Sequence, residues 1–118
     1  MSGILPVDDT VMRVVGAAMD GVMARQSVIA NNIANAATPG YRAQSVTFED
    51  SLRSAVSSGN LGAFSVTTQD AGTPVKQDGN SVDMTGEFTQ MDQANLIFET
   101  LVSALNFRVT AMRSALSR

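Results

Sequence analysis

The sequence predicts an all-α chain: long N- and C-terminal helices forming an antiparallel coiled-coil hairpin, with a short helix and an irregular loop between them. Three observations lead there. Residues 9–37 and 81–118 carry apolar side chains at steps of three and four, the spacing of one helix face. Residues 38–80 lose that spacing and hold most of the glycines. The apolar residues are mainly Ala, Val and seven Met, with one Tyr and no Trp, which suits helix–helix packing better than a thick sheet core. At 118 residues the chain is read as a single domain, 1–118.

Residues 1–8 read as an irregular lead-in containing Gly3 and Pro6, with Asp8 or Asp9 as N-cap of the first helix. From there the seam runs Met12, Val15, Met19, Val22, Ile29, Ile33 and Ala36, with Gln26 as its one polar member. Val11, Val14, Ala18, Met23 and Ala30 add a second apolar set, so the helix expects protein on more than one side.

The helix is then made to stop. Pro39 disfavours the α conformation at Thr38, which ends the helix at or before Ala37. Pro39-Gly40 fits the centre of a type II turn. Asn31, Asn32 and Asn35 crowd the last turns although Asn is a poor helix former. Two readings stand: a fraying helix end, or amides that bind the returning chain or a neighbouring subunit.

Beyond the turn, Thr47 and Asp50 resemble a capping box for a short helix over 48–57, with Gly59 as its stop. Residues 60–80 read as a surface loop, or as a small β-hairpin in which Phe64–Thr67 pairs with Thr73–Gln77. Asp78-Gly79 signals a turn, and Ser81 or Asp83 caps the last helix.

The C-terminal seam runs Met84, Phe88, Met91, Asn95, Phe98, Val102, Leu105, Val109, Met112 and Leu116, with Asn95 its polar member. Laid antiparallel on the first seam, Ile33 faces Phe88, Ile29 faces Met91, Val22 faces Phe98, Met19 faces Val102, Val15 faces Leu105 and Met12 faces Val109. Gln26 then falls opposite Asn95, a polar pair that fixes register at some cost in stability, and Asp8 falls near Arg113. A two-helix hairpin leaves apolar stripes uncovered, which predicts packing against other chains.

Chemistry is sparse. With no His and no Cys the chain lacks imidazole bases, thiol nucleophiles and the usual zinc ligands. No catalytic residues and no cofactor are expected. A carboxylate hydrolase built on Asp83 or Glu87 has no motif behind it, since both residues read as helix capping. Asp78–Asp83 has oxygen ligands at alternating spacing, but lacks the bidentate Glu of a calcium loop, so no metal is expected. A net charge of −3 without a basic run argues against nucleic acid. The first residues show no basic n-region and no apolar core of a cleavable signal peptide. Two functional classes remain: a structural assembly subunit, or a self-contained helical adaptor with an apolar groove.

The stretch Ala30-Asn31-Asn32-Ile33-Ala34-Asn35-Ala36-Ala37-Thr38-Pro39-Gly40-Tyr41-Arg42 resembles the N-terminal signature of bacterial flagellar rod and hook proteins. Ala37 stands where the family commonly has Asn or Asp. The short chain is unlike the hook and distal-rod types, which carry large inserted domains. Asp78–Met84 leading into a terminal helix is similar to one of two short proximal-rod types; the sibling type is richer in Pro there. The resemblance implies a non-enzymatic subunit of the basal-body rod in the periplasm, exported through the flagellar type III channel without a cleaved signal peptide. It implies, as partners, other rod subunits, the rod-base adaptor protein, the membrane-ring protein and further copies of itself, with no small-molecule substrate. It marks Asn31, Asn32, Ile33, Asn35, Thr38, Pro39, Gly40 and Tyr41 as signature and subunit-interface residues.

Overall fold

The computed structural model describes residues 4–117, with side chains described from Thr10 onward. Its elements, in chain order, are α1 (Ile4–Ala34), β1 (Gln44–Thr47), α2 (Glu49–Ser58), a 3-10 turn (Leu61–Ala63), β2 (Thr67–Asp70) and α3 (Met84–Leu116). The chain is therefore mostly helical, with a small sheet added to the expected helices. It measures 64 × 27 × 14 Å with a radius of gyration of 18.2 Å. A compact chain of this length would have ~13 Å, so the shape is that of a rod.

Helix α1 starts at Ile4, five residues before the expected N-terminus at Asp9. Pro6 does not prevent this, because the first-turn N–H groups have no intrahelical partner to lose. Asp8 and Asp9 are helical rather than N-capping, and the expected Asp8–Arg113 contact lies outside the described side chains. At its other end α1 stops at Ala34, within the bound set by Pro39.

The main difference lies between the long helices. Residues 44–47 form β1, paired antiparallel with β2 in the register Gln44↔Asp70, Ser45↔Gln69, Val46↔Thr68 and Thr47↔Thr67. The expected strand partners were displaced on both sides: Phe64 precedes β2, and 73–77 is not a strand. Thr47 is a strand residue, not a helix cap. Phe48 occupies the N-cap of α2 without a side-chain bond, and Asp50 instead contacts Arg53 at 2.6 Å. Gly59 ends α2 as expected, in the left-handed region at φ 71°.

The sheet and α2 lie across the middle of the long helices. Val22, Val46, Phe48 and Ala94 form the buried cluster, and Val28, Leu52, Phe64, Phe98 and Leu101 pack around it. The Phe48 and Phe64 rings meet edge to face at 6.4 Å. Gly21 makes this possible: a Cβ there would sit 2.5 Å from the Phe48 ring. An interior helical glycine costs roughly 1 kcal/mol against Ala, and here it permits close packing of an aromatic ring.

Along the α1–α3 contact, Val22 and Ile29 are buried. Ile33, Met91, Phe98, Val102, Leu105 and Val109 are half-buried. Phe88 departs from the expected seam and is 52% exposed. The neighbouring Glu87, 3% exposed, takes the inward place at that turn because Asn32 offers it a hydrogen-bond donor.

Candidate functional site

The residues of the Ala30–Arg42 stretch converge on a polar clasp where α1 ends and α3 begins. Asn32 is its centre and is fully buried. Its Nδ2 donates to the Gln44 carbonyl at 2.8 Å, and its Oδ1 accepts from the Gln44 N–H at 3.1 Å. The side-chain amide thus substitutes for a neighbouring strand and closes the outer edge of β1. The same Nδ2 lies 3.0 Å from Glu87 Oε1, and Oδ1 also accepts from the Tyr41 hydroxyl at 2.8 Å. Every hydrogen-bonding position of this amide is used, which is what full burial of a polar group demands.

The flanking amides serve the turn. Asn31 Nδ2 donates to the Tyr41 hydroxyl at 2.9 Å. Asn35 Nδ2 donates to the Asn31 carbonyl at 2.8 Å, and Asn35 Oδ1 accepts from Thr38 Oγ1 at 3.1 Å. Pro39-Gly40 makes the reversal: Gly40 has φ 77°, and the Tyr41 N–H donates to the Thr38 carbonyl at 3.2 Å. That is the geometry of a type II turn. Ile33 is half-buried beside Asn32.

The other jaw comes from residues 78–87. Asn80, fully buried, donates from Nδ2 to the carbonyls of Asn35 and Thr38 at 2.9 and 2.8 Å. Both carbonyls lie just past the end of α1, so Asn80 pins the turn that follows the helix from the far side of the chain. Asn80 Oδ1 in turn accepts from the Val82 N–H at 2.8 Å. Ser81 Oγ accepts from the Ala43 N–H at 2.8 Å, and the Ser81 N–H donates to the Tyr41 carbonyl at 3.0 Å. Thr73 Oγ1 donates to the Ser81 carbonyl, which draws 73–77 onto the clasp. Gly79, at φ 85°, lies so close to Gly40 that a Cβ would meet its Cα at 3.2 Å. Asp83 caps α3 by accepting from the Gly86 N–H at 3.2 Å. Asp78 holds its own turn by accepting from the Asn80 N–H at 3.0 Å. Of the acidic groups singled out in the sequence, Asp78 and Asp83 thus hold backbone N–H groups, and Glu87 accepts from Asn32.

Two turns further down α1 a second device holds the middle of the chain. Arg25 forks onto Glu49, Nη1 to Oε2 at 2.7 Å and Nη2 to Oε1 at 2.9 Å. Nη2 also donates to the Val46 carbonyl at 2.7 Å, and the guanidinium lies 4.8 Å from the centre of the Phe48 ring. The Arg25 hydrogen bonds hold the Glu49 carboxyl well below its ordinary range, at about 2. One residue on, Gln26 Nε2 donates to Asn95 Oδ1 at 2.9 Å, joining the polar members of the two seams. With Asn32–Glu87, this bond shows α1 and α3 running in opposite directions.

Sequence reasoning missed Asn80, Ser81, Arg25 and Glu49 as tertiary contacts. A signal existed for Arg25, one of only three charges between Val11 and Ala36. None existed for Asn80, whose neighbours read only as a turn. Among the described residues no helix is long and apolar enough to cross a membrane.

A family model described as flagella basal body rod protein matches residues 12–42, which span α1 from Met12 onward and the first jaw of the clasp. The flagellar basal body rod protein FlgB of Bacillus subtilis (strain 168) is 32% identical over 108 residues, covering 79% of this chain and 82% of that protein. The FlgB of Escherichia coli (strain K12) is 32% identical over 113 residues, covering 78% and 82%. The FlgB of Cereibacter sphaeroides (strain ATCC 17029 / ATH 2.4.9) is 30% identical over 105 residues, again covering 78% and 82%. Likeness of this extent reaches well beyond the clasp, and the chain belongs to the family of flagellar basal body rod proteins, on its FlgB branch.

Proposed function

We infer that this chain is a structural, non-enzymatic subunit of the flagellar basal body rod, assembling through coiled-coil packing of α1 and α3. The observation that carries the reading is the likeness to FlgB proteins over about four fifths of the chain. The geometry fits it. The clasp and the Gln26–Asn95 bond set the stagger of two long helices from one end. Those helices still expose Met23, Phe88, Leu96, Ile97 and Phe107, apolar surface that assembly would cover.

With this reading go its setting and partners. The subunit stands in the periplasmic rod and reaches it through the flagellar export channel without a cleaved signal peptide. It contacts other rod subunits, the rod-base adaptor and the membrane-ring protein. The signature residues Asn31, Asn32, Asn35, Thr38, Pro39, Gly40 and Tyr41 serve the interface indirectly, by fixing the end of α1 that neighbours meet. Deleting the gene and examining purified basal bodies tests this. The expected result is non-motile cells without a rod, restored by the wild-type chain. A deletion strain that swims on complete rods would refute it.

A further inference from the structure

The clasp leaves one of its own groups half satisfied. Glu87 is 3% exposed, yet its carboxylate accepts a single side-chain hydrogen bond, from Asn32 Nδ2 to Oε1 at 3.0 Å. Among the described residues no group donates to Oε2, and no cation stands within ion-pair distance of Glu87. The cations of the clasp are placed elsewhere: Arg42 pairs with Asp70 at 3.4 Å, and Lys76 is exposed without an ion pair. A carboxylate drawn out of water needs a cation or a full set of donors, and one amide supplies neither. Oε2 keeps a path to the surface, since among the described residues every sealed side-chain oxygen has a partner. The path is narrow, so it suits a long side chain that ends in a donor.

Charge along the rod points to where that donor comes from. From Asp83 to Phe107 the chain holds Asp83, Glu87, Asp92 and Glu99 and no basic residue; Arg108, Arg113 and Arg118 follow with no acid. Helix α3 is therefore negative at the clasp and positive at the far end, where α1 adds Arg13 against Asp8 and Asp9. One copy set head to tail on the next brings unlike ends together. Glu87 and Arg113 each stand three residues inside an end of α3, ~4.5 Å along the axis at 1.5 Å per residue. Arg113 is exposed and pairs with no acid among the described residues. Arg108 already has a partner, and Arg13 lies nine residues, ~14 Å, inside the start of α1.

We propose that Glu87 is a docking site for a basic side chain of the adjoining subunit, and that Arg113 of a second copy, set head to tail, fills it. This rests on the rod-subunit reading, in which subunits share one direction. The incoming guanidinium donates to Oε2 while Asn32 keeps Oε1. The neighbour is thereby tied to the residue that organises the clasp.

A double-mutant cycle on the full chain, read by sedimentation velocity, tests the pair. Glu87→Gln keeps the shape and the oxygen that Asn32 needs, so it should melt no lower than the wild type. The wild type should associate with rising concentration, less so in high salt. Glu87→Gln and Arg113→Gln should each weaken association about thirtyfold, the low end for a buried charge pair. The double variant should be no weaker than either single one. Three results overturn the proposal: a wild-type chain of single-chain mass up to about 1 mM, a single variant that associates like the wild type, or a double variant that compounds the two losses. Should Glu87→Gln melt lower, Arg113→Gln decides alone, because its exposed side chain is not used by the fold, and unchanged association then overturns the proposal. Variants that fail to associate yet restore rods to the deletion strain remove this contact and leave the rod reading intact. A wild-type chain that passes the cycle but restores no rod does the reverse.

Discussion

Replacing Asn32 by Ala should unfasten the clasp, and the structure sets the size of the loss. The variant gives up a donor to the buried Glu87 carboxylate, a donor to the Gln44 carbonyl, and an acceptor for the Gln44 N–H. A hydrogen bond to a charged group contributes about 1.5–3 kcal/mol, and a neutral one about 0.5–1.5 kcal/mol. Tyr41 loses less, because Asn31 still donates to its hydroxyl. The Gln44 groups, part-buried, recover some of their loss from water. The expected cost is therefore about 3–5 kcal/mol, a large share of the roughly 6–18 kcal/mol usual for a chain of this length. Urea unfolding followed by far-ultraviolet circular dichroism measures it, with Asn31→Ala as the comparison. Asn31 is exposed and donates one side-chain bond outside the helix, so its removal should cost less than about 1 kcal/mol. If the two variants unfold at the same midpoint, Asn32 is not the centre of the clasp.

Three further outcomes are expected. Gly16→Ala should stabilise the chain by about 0.5–1 kcal/mol, since its Cβ meets nothing within 4 Å, whereas Gly21→Ala should destabilise it by about 1–3 kcal/mol because its Cβ meets the Phe48 ring; thermal melts of the two decide this. Glu49 has a lowered pKa, so its link to Arg25 is fully present above the ordinary value of 4.5 and is lost as pH falls toward about 2. Acid titration of amide exchange in β1 and α2 should show undocking in that window, and Glu49→Gln, weak already at neutral pH, should show a flatter profile. Gly79→Ala should loosen the clasp by about 1–2 kcal/mol, through its left-handed φ and its approach to Gly40, and amide exchange at Gly40 should rise.

What the sequence disclosed was mostly what depends on local rules. Pro39-Gly40 dictates a turn through its own backbone preferences, and Gly59 ends α2 for the same reason. Gln26 and Asn95 stand out as polar members of apolar seams, and they meet. The features that stayed hidden depend on partners far along the chain. β1 pairs with a strand 23 residues on whose sequence, Thr67-Thr68-Gln69-Asp70, has no apolar alternation to betray it. Its other edge is held by Asn32 and Arg25, side chains of a helix, for which no strand rule exists. Phe88 has the right spacing for the seam, but spacing ranks residues by hydrophobicity. It does not register that a buried Asn32 would draw Glu87 inward instead. Asn80 holds the turn after α1 through the carbonyl of Asn35, 45 residues earlier, and its local context announces only a turn.

The distribution of polar contacts along the rod bears on how such a subunit assembles. The Asn32 and Asn80 clasp, the Gln26–Asn95 pair and the Arg25–Glu49 fork all lie between Gly21 and Asp50 or between Thr73 and Asn95. Beyond them, among the described residues, α1 before Met19 and α3 after Leu101 add half-buried apolar side chains such as Val15, Leu105 and Val109, with Thr10 and Arg108 also engaged. Directional bonds have one satisfactory geometry, so the clasp end keeps its register. Apolar contacts are non-directional, and exchanging one apolar neighbour for another leaves no polar group unpaired. The far end can therefore repack against adjacent subunits without breaking what sets the stagger. A rigid end that fixes alignment and an adaptable end that accepts neighbours is a division of labour suited to a chain that must join a repeating shaft.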